Sequence, residues 1–111
     1  MKQQLGCLLI EDIIYKVNTN YKLYKVSSGK QTDKICIHVF NPNDEKSVIG
    51  IWHVKNGDVL ATKNTIVDTP FAVPAGTPCD IDIGMLASSF DTIYVKSALP
   101  GVNFILWGDE Q

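Results

Sequence analysis

Cys79-Asp80-Ile81-Asp82-Ile83-Gly84-Met85 alternates apolar and polar residues through most of its length. Drawn out as an extended chain, it puts Cys79, Ile81, Ile83 and Met85 on one side and Asp80 and Asp82 on the other. A period of two is the signature of a half-buried strand. Ile93-Tyr94-Val95-Lys96 repeats the pattern, with Ile93 and Val95 inward and Tyr94 and Lys96 outward. Lys34 to Asn41 and Ser47 to Lys55 are apolar on both faces, as expected of central strands or of strands covered by a neighbouring subunit. Further strands are expected over Gly6 to Ile14, Tyr21 to Val26, Val59 to Val67 and Val102 to Trp107, all rich in Ile, Val, Tyr and Thr.

Turn residues punctuate these runs: Ser27-Ser28-Gly29, Asn41-Pro42-Asn43-Asp44, Asn56-Gly57-Asp58, Pro74-Ala75-Gly76 and Pro100-Gly101. Asn56-Gly57 reads as a tight hairpin turn with positive φ at both central residues. Gly84 to Ser89 holds a few good helix formers but is too short to pay for a helix nucleus, and it reads as a strand running into a turn. The expected fold is all-β, an antiparallel β-sandwich or jelly roll of about eight short strands. A chain of 111 residues makes this one domain, 1–111, with enough buried surface to fold without a metal or disulfide.

Composition narrows the function classes. The chain is 45% hydrophobic and 20% charged, with a formal net charge of -2 and no Arg. Its Lys residues are scattered among Asp and Glu, so the basic patch that carries phosphate binding is missing and no nucleic-acid partner is expected. Leu8-Leu9-Ile10 is cut short by Glu11 and Asp12, far from the length of a signal h-region or membrane span. Synthesis in the cytoplasm, without membrane contact, is the expectation. Cys7, Cys36 and Cys79 are odd in number and far apart, which suits reduced core residues better than a disulfide framework.

Gly29-Lys30 lacks the upstream Gly of a phosphate loop, where Tyr24 stands, and is followed by Gln31 in place of Ser or Thr. Cys36 and His38 share a strand face, a geometry open to zinc if His53 and Cys79 joined them, or to a Cys-His nucleophile pair. Two ligands do not complete a site, and Cys36 lies in an apolar run that disfavours a thiolate. Asp80 and Asp82 can be paired acids or calcium ligands, but alternate Asp on an outer strand face is ordinarily a solvated face. The reading is no catalytic residue, no metal and no cofactor. What remains is a surplus of large apolar residues, Phe71 and Phe90 among them. Phe40, Ile49, Ile51, Trp52 and Trp107 are the candidate anchors of a subunit interface.

Leu23-Tyr24-Lys25-Val26-Ser27-Ser28-Gly29-Lys30, followed by Ile35-Cys36-Ile37-His38-Val39-Phe40-Asn41, resembles the "LYTVPAGK" opening of small bacteriophage virion proteins. Ile93-Tyr94-Val95-Lys96-Ser97, Val102-Asn103-Phe104 and Trp107-Gly108-Asp109-Glu110 are similar to that group's close, and Leu5-Gly6 also fits. Ser27-Ser28 replaces the group's Pro-Ala, and Trp52 stands where small aliphatic residues are usual. The resemblance implies a virion structural protein, a capsid decoration (cement) or head-fibre protein or a tail or tail-fibre component. It would partner other capsid or tail subunits as a homo-oligomer, a trimer before a dimer. A carbohydrate- or receptor-binding module, with Trp52, Trp107 or Tyr94 stacking on sugar rings, is the alternative.

Overall fold

The structure is a computed structural model that describes residues 3–8, 19–60, 65–83, 87–99 and 101–111, of which 7, 8 and 65–71 are described in their backbone alone. Eight strands follow one another: β1 (Gln3–Leu8), β2 (Tyr21–Lys25), β3 (Thr32–Phe40), β4 (Ser47–Val54), β5 (Thr65–Val73), β6 (Pro78–Asp82), β7 (Thr92–Ser97) and β8 (Asn103–Glu110). No helix occurs among the described residues. Gly84 to Leu86 lie outside them, while Ala87 bridges Thr32 and Ser89-Phe90 form a turn.

The strands form two four-stranded antiparallel sheets, in the orders β1-β8-β3-β6 and β2-β7-β4-β5. Each strand of the first half of the chain pairs with its mirror image in the second: β1 with β8, β2 with β7, β3 with β6 and β4 with β5. A long hairpin rolled over on itself produces this order, which is that of a jelly roll.

Alternation decides what fills the space between the sheets. On β3, Ile35, Ile37 and Val39 are fully buried while Cys36, His38 and Phe40 point outward and are half-buried. Phe104 and Leu106 of β8, Ile93 and Val95 of β7, and Ile49 and Ile51 of β4 complete the core. Each such side chain contributes ~2 kcal/mol by the area rule. The face reading of Cys79 to Met85 agrees over the described residues: Cys79, Ile81 and Ile83 pack against the core, and Asp80 and Asp82 are exposed.

Three sequence expectations need correction. The fifth strand begins at Thr65, not Val59, and runs through Pro70 to Val73. β5 is an edge strand, and Asp68, Thr69 and Pro70 stand opposite the single residue Gly50 in a bulge, so the missing Pro donor breaks no ladder. The first strand is Gln3–Leu8, earlier than Gly6 to Ile14, and residues 9–14 of that range lie outside the described ones. The Asn56-Gly57 turn exists, closed by Asp58 N–H donating to Lys55 C=O at 2.9 Å, but only Gly57 has positive φ, at 89°. It follows the end of β4 and does not lead straight into β5, so the two-residue hairpin geometry is not required.

At the edge where β1 passes β2, Gly6 lies so close to Leu23 that a Cβ would overlap the Leu23 carbonyl oxygen. Gly6→Ala should therefore destabilise by roughly 3 kcal/mol, at the upper end for overpacking. Gly57→Val, in open space but with φ at 89°, should cost only ~1 to 2 kcal/mol. Denaturant titration of the two variants checks the order; a harmless Gly6→Ala would mean that β1 does not approach β2 this closely.

Candidate functional site

The two outward faces of the sandwich carry the features left over from the core. On the β1-β8-β3-β6 sheet, Trp107 lies beside Cys36, Ile105 beside His38 and Asn103 beside Phe40. Trp107 keeps 37% of its surface exposed. β6 adds Asp82 and Asp80 across from Cys36 and His38, and Asp33 faces Asp109. On the β2-β7-β4-β5 sheet, Trp52 stands directly opposite Tyr94, whose other neighbour is Lys22. Lys96 Nζ lies 5.5 Å from the centroid of the Trp52 ring, a cation–π contact.

The five candidate interface residues thus divide. Trp107, Phe40 and Trp52 project outward, Phe40 and Trp52 half-buried. Ile49 and Ile51 do not: both are fully buried between the sheets, and their assignment to an interface is corrected. β4 is apolar on both faces because Val48, Gly50 and Trp52 make its outer row, and sequence alone could not say which row faces in. Phe90 is exposed in the β6–β7 turn, with φ at 66° and Lys25 Nζ 5.5 Å over its ring. The side chain of Phe71 lies outside the described ones.

The candidate ligands for zinc are not brought together. Cys36 and His38 share the outer face of β3, Cys79 packs inward from β6, and His53 sits on β4 of the other sheet. Among the described residues no three His, Cys, Asp or Glu side chains converge as metal ligands would. Gly29, with φ at 76°, belongs to a turn whose Lys30 N–H bonds Ser27 C=O.

Four polar clusters were not legible in the sequence, because each joins residues far apart in the chain. His38 Nδ1 donates to Asp80 Oδ1 at 2.6 Å across β3 and β6, with the side chains 34% and 69% exposed. A pair so open to solvent contributes ~0 to 1 kcal/mol. At one end of the sandwich, Asp91 is buried and fully engaged. It accepts from His53 Nε2 (2.9 Å), from the Ser88 N–H (3.0 Å) and from the Asn56 N–H (2.9 Å), so the β4–β5 and β6–β7 connections are held together. Its side chain is 8% exposed and that of His53 6%. Between the sheets, the Tyr24 hydroxyl of β2 and the Thr32 hydroxyl of β3 both donate to the Glu110 carboxylate of β8. At the opposite end of the sandwich Asn41 bonds the Glu45 and Val73 carbonyls, and the Ser47 and Ser97 hydroxyls meet at 2.7 Å.

The Asp91 and Tyr24–Glu110 clusters make stability depend on pH. Burial alone would raise the Asp91 pKa, but the Ser88 and Asn56 N–H donors and His53 outweigh it and hold the carboxyl below its ordinary value. A depressed carboxyl stabilises above its unfolded pKa, ~3.9, and the contribution disappears as pH falls through the folded value. Asp91→Asn should cost ~1 to 3 kcal/mol near neutrality and flatten the acid limb of the stability curve below about pH 4. Burial, then the Glu110 hydrogen bond and charge, push Tyr24 up from 10.0 to about 12. The neutral hydroxyl therefore stabilises in full below pH 10.0, and this contribution is lost as pH climbs toward about 12. Tyr24→Phe should show a shallower alkaline limb. Denaturant midpoints measured across both limits test the two assignments, and limbs unchanged by the substitutions would refute them.

No helix among the described residues is long and apolar enough to cross a membrane. No family model, no curated protein and no solved structure matches the chain.

Proposed function

We propose that the chain is a non-enzymatic bacteriophage virion structural protein, a capsid decoration (cement) or head-fibre protein that joins other virion subunits through its β-sandwich. A tail or tail-fibre component is the nearest variant of the same reading. Jelly rolls recur in viral capsids, in lectins and in cupins, so architecture alone does not choose among them. The weight falls on one observation: each outward sheet face carries a Trp, Trp107 on one and Trp52 on the other. Aromatic side chains displayed in this way are typical anchors of protein contacts. The resemblance of Leu23 to Asn41 and of Ile93 to Glu110 to small virion proteins gives the class of partner. It also gives the expectation of a homo-oligomer, trimer before dimer.

The Trp52 and Tyr94 pair favours a second reading, a carbohydrate- or receptor-binding module, because adjacent aromatic rings form a stacking surface for sugars. Immunogold electron microscopy with antibody against the recombinant chain separates the two. Regular labelling of intact particles of the encoding phage is expected, on the head for a decoration protein and on the tail for its variant. Particles without label would overturn the virion reading. Glycan binding that is lost in Trp52→Ala would move the assignment to the second.

A further inference from the structure

The two outer faces of the sandwich differ in charge as well as in position. Asp82, Asp33 and Asp109 project from the β1-β8-β3-β6 sheet around Trp107, joined by Asp80, which His38 engages, and by Lys34 of the β3 bulge. Lys22 and Lys96 project from the β2-β7-β4-β5 sheet around Trp52 and Tyr94, with Lys25 over Phe90 at the end of the same sheet, and no acidic side chain shares that face among the described ones. Among the described side chains, the two outer faces therefore carry opposite charge.

We infer that the occupant of each outer face is a second copy of this chain, bound front to back, the acidic Trp107 face of one copy on the basic Trp52 face of the next. The inference deepens the assembly reading above by naming a partner and a contact. Pairing of like faces is disfavoured: it would gather Asp80 and Asp82 with the partner's carboxylates, or Lys22 and Lys96 with the partner's ammonium groups. Opposite faces bring carboxylates to ammonium groups at the rim and the two indoles toward the centre, the arrangement of an anchor within a polar surround. The molecule, 41 × 30 × 24 Å along its principal axes, has faces broad enough for the ~800 Å² per partner of a standard interface. The contact is heterologous, and because its two patches lie on opposite faces of the sandwich it stacks copies in an open row, in place of the trimer that the resemblance alone suggests.

The signature of such a contact is complementation between defective copies. Trp107→Ser spoils the acidic face and leaves the basic one intact; Trp52→Ser does the reverse. Sedimentation velocity across the micromolar range should show wild-type association that weakens between low salt and about 0.5 M salt, where charge attraction is screened. Each variant alone should associate roughly tenfold or more weakly, while an equimolar mixture should recover a one-to-one dimer through the two intact faces. Thermal melts confirm that both variants fold. The pair Asp80→Asn with Asp82→Asn and Lys22→Gln with Lys96→Gln, all at solvent-facing positions, repeats the test if either Trp variant does not. A wild-type chain that stays monomeric in low salt, an oligomer that survives both Trp substitutions, or a mixture that stays monomeric would each overturn the inference. An oligomer indifferent to these changes would leave the virion reading standing, and unlabelled particles would remove that reading without touching the contact.

Discussion

Burying one side of every strand against one side of every other is the constraint on which this molecule depends. Ile35, Ile37 and Val39 from β3 and Phe104 and Leu106 from β8 form the inner surface of one sheet. Ile49, Ile51, Ile93 and Val95 form that of the other. These side chains stay dry only if the two sheets lie face to face, and a one-residue slip in any strand would turn its buried row to water. The polar clusters at the ends and edges are consistent with that requirement. Asp91 ties two connections over one end, Asn41 and the Ser47–Ser97 pair close the other, and Glu110 joins β8 to Tyr24 of the opposite sheet.

How far this was legible from residue order depended on local contrast. Cys79 to Ile83 could be read with its facing because Asp alternates with apolar residues, and its inward row packs against the core as expected. β3 and β4 could be recognised as strands, but their facing was hidden. Both rows of Ser47 to Lys55 are apolar, so Ile49 and Ile51 looked as fit for an interface as Trp52 until pairing placed them inside. β5 was misplaced by six residues at its start, and it runs through Pro70, which is tolerable because the strand lies at a sheet edge with a bulge opposite Gly50. The Asp91 cluster joins residues 53, 56, 88 and 91, a set that no spacing rule selects.

The two histidines show how position converts one chemistry into different consequences. His38 and His53 each donate to an aspartate, at 2.6 and 2.9 Å. The first pair stands in solvent on a sheet face, where ions and water compete with it. The second is enclosed, and its aspartate also serves two backbone donors, so losing it would leave buried polar groups unsatisfied. The shorter distance is not the stronger tie.

The mirrored pairing of the strands also governs the order in which the chain can become whole. Among the described strands only β4 and β5 are partners that also follow each other in sequence; every other pairing joins strands separated by at least three connections. Loop closure must be paid before those pairings return anything, which places folding on the slow side for a chain of this size. β8 lies between β1 and β3, so residues 103–110 emerge after the seven other described strands yet fill the middle of a sheet. A nascent chain can form the β4–β5 hairpin early, but β1 and β3 keep unpaired edges until the final strand inserts. The time between those two events is when the chain is most open to edge-to-edge association with its neighbours on the polysome.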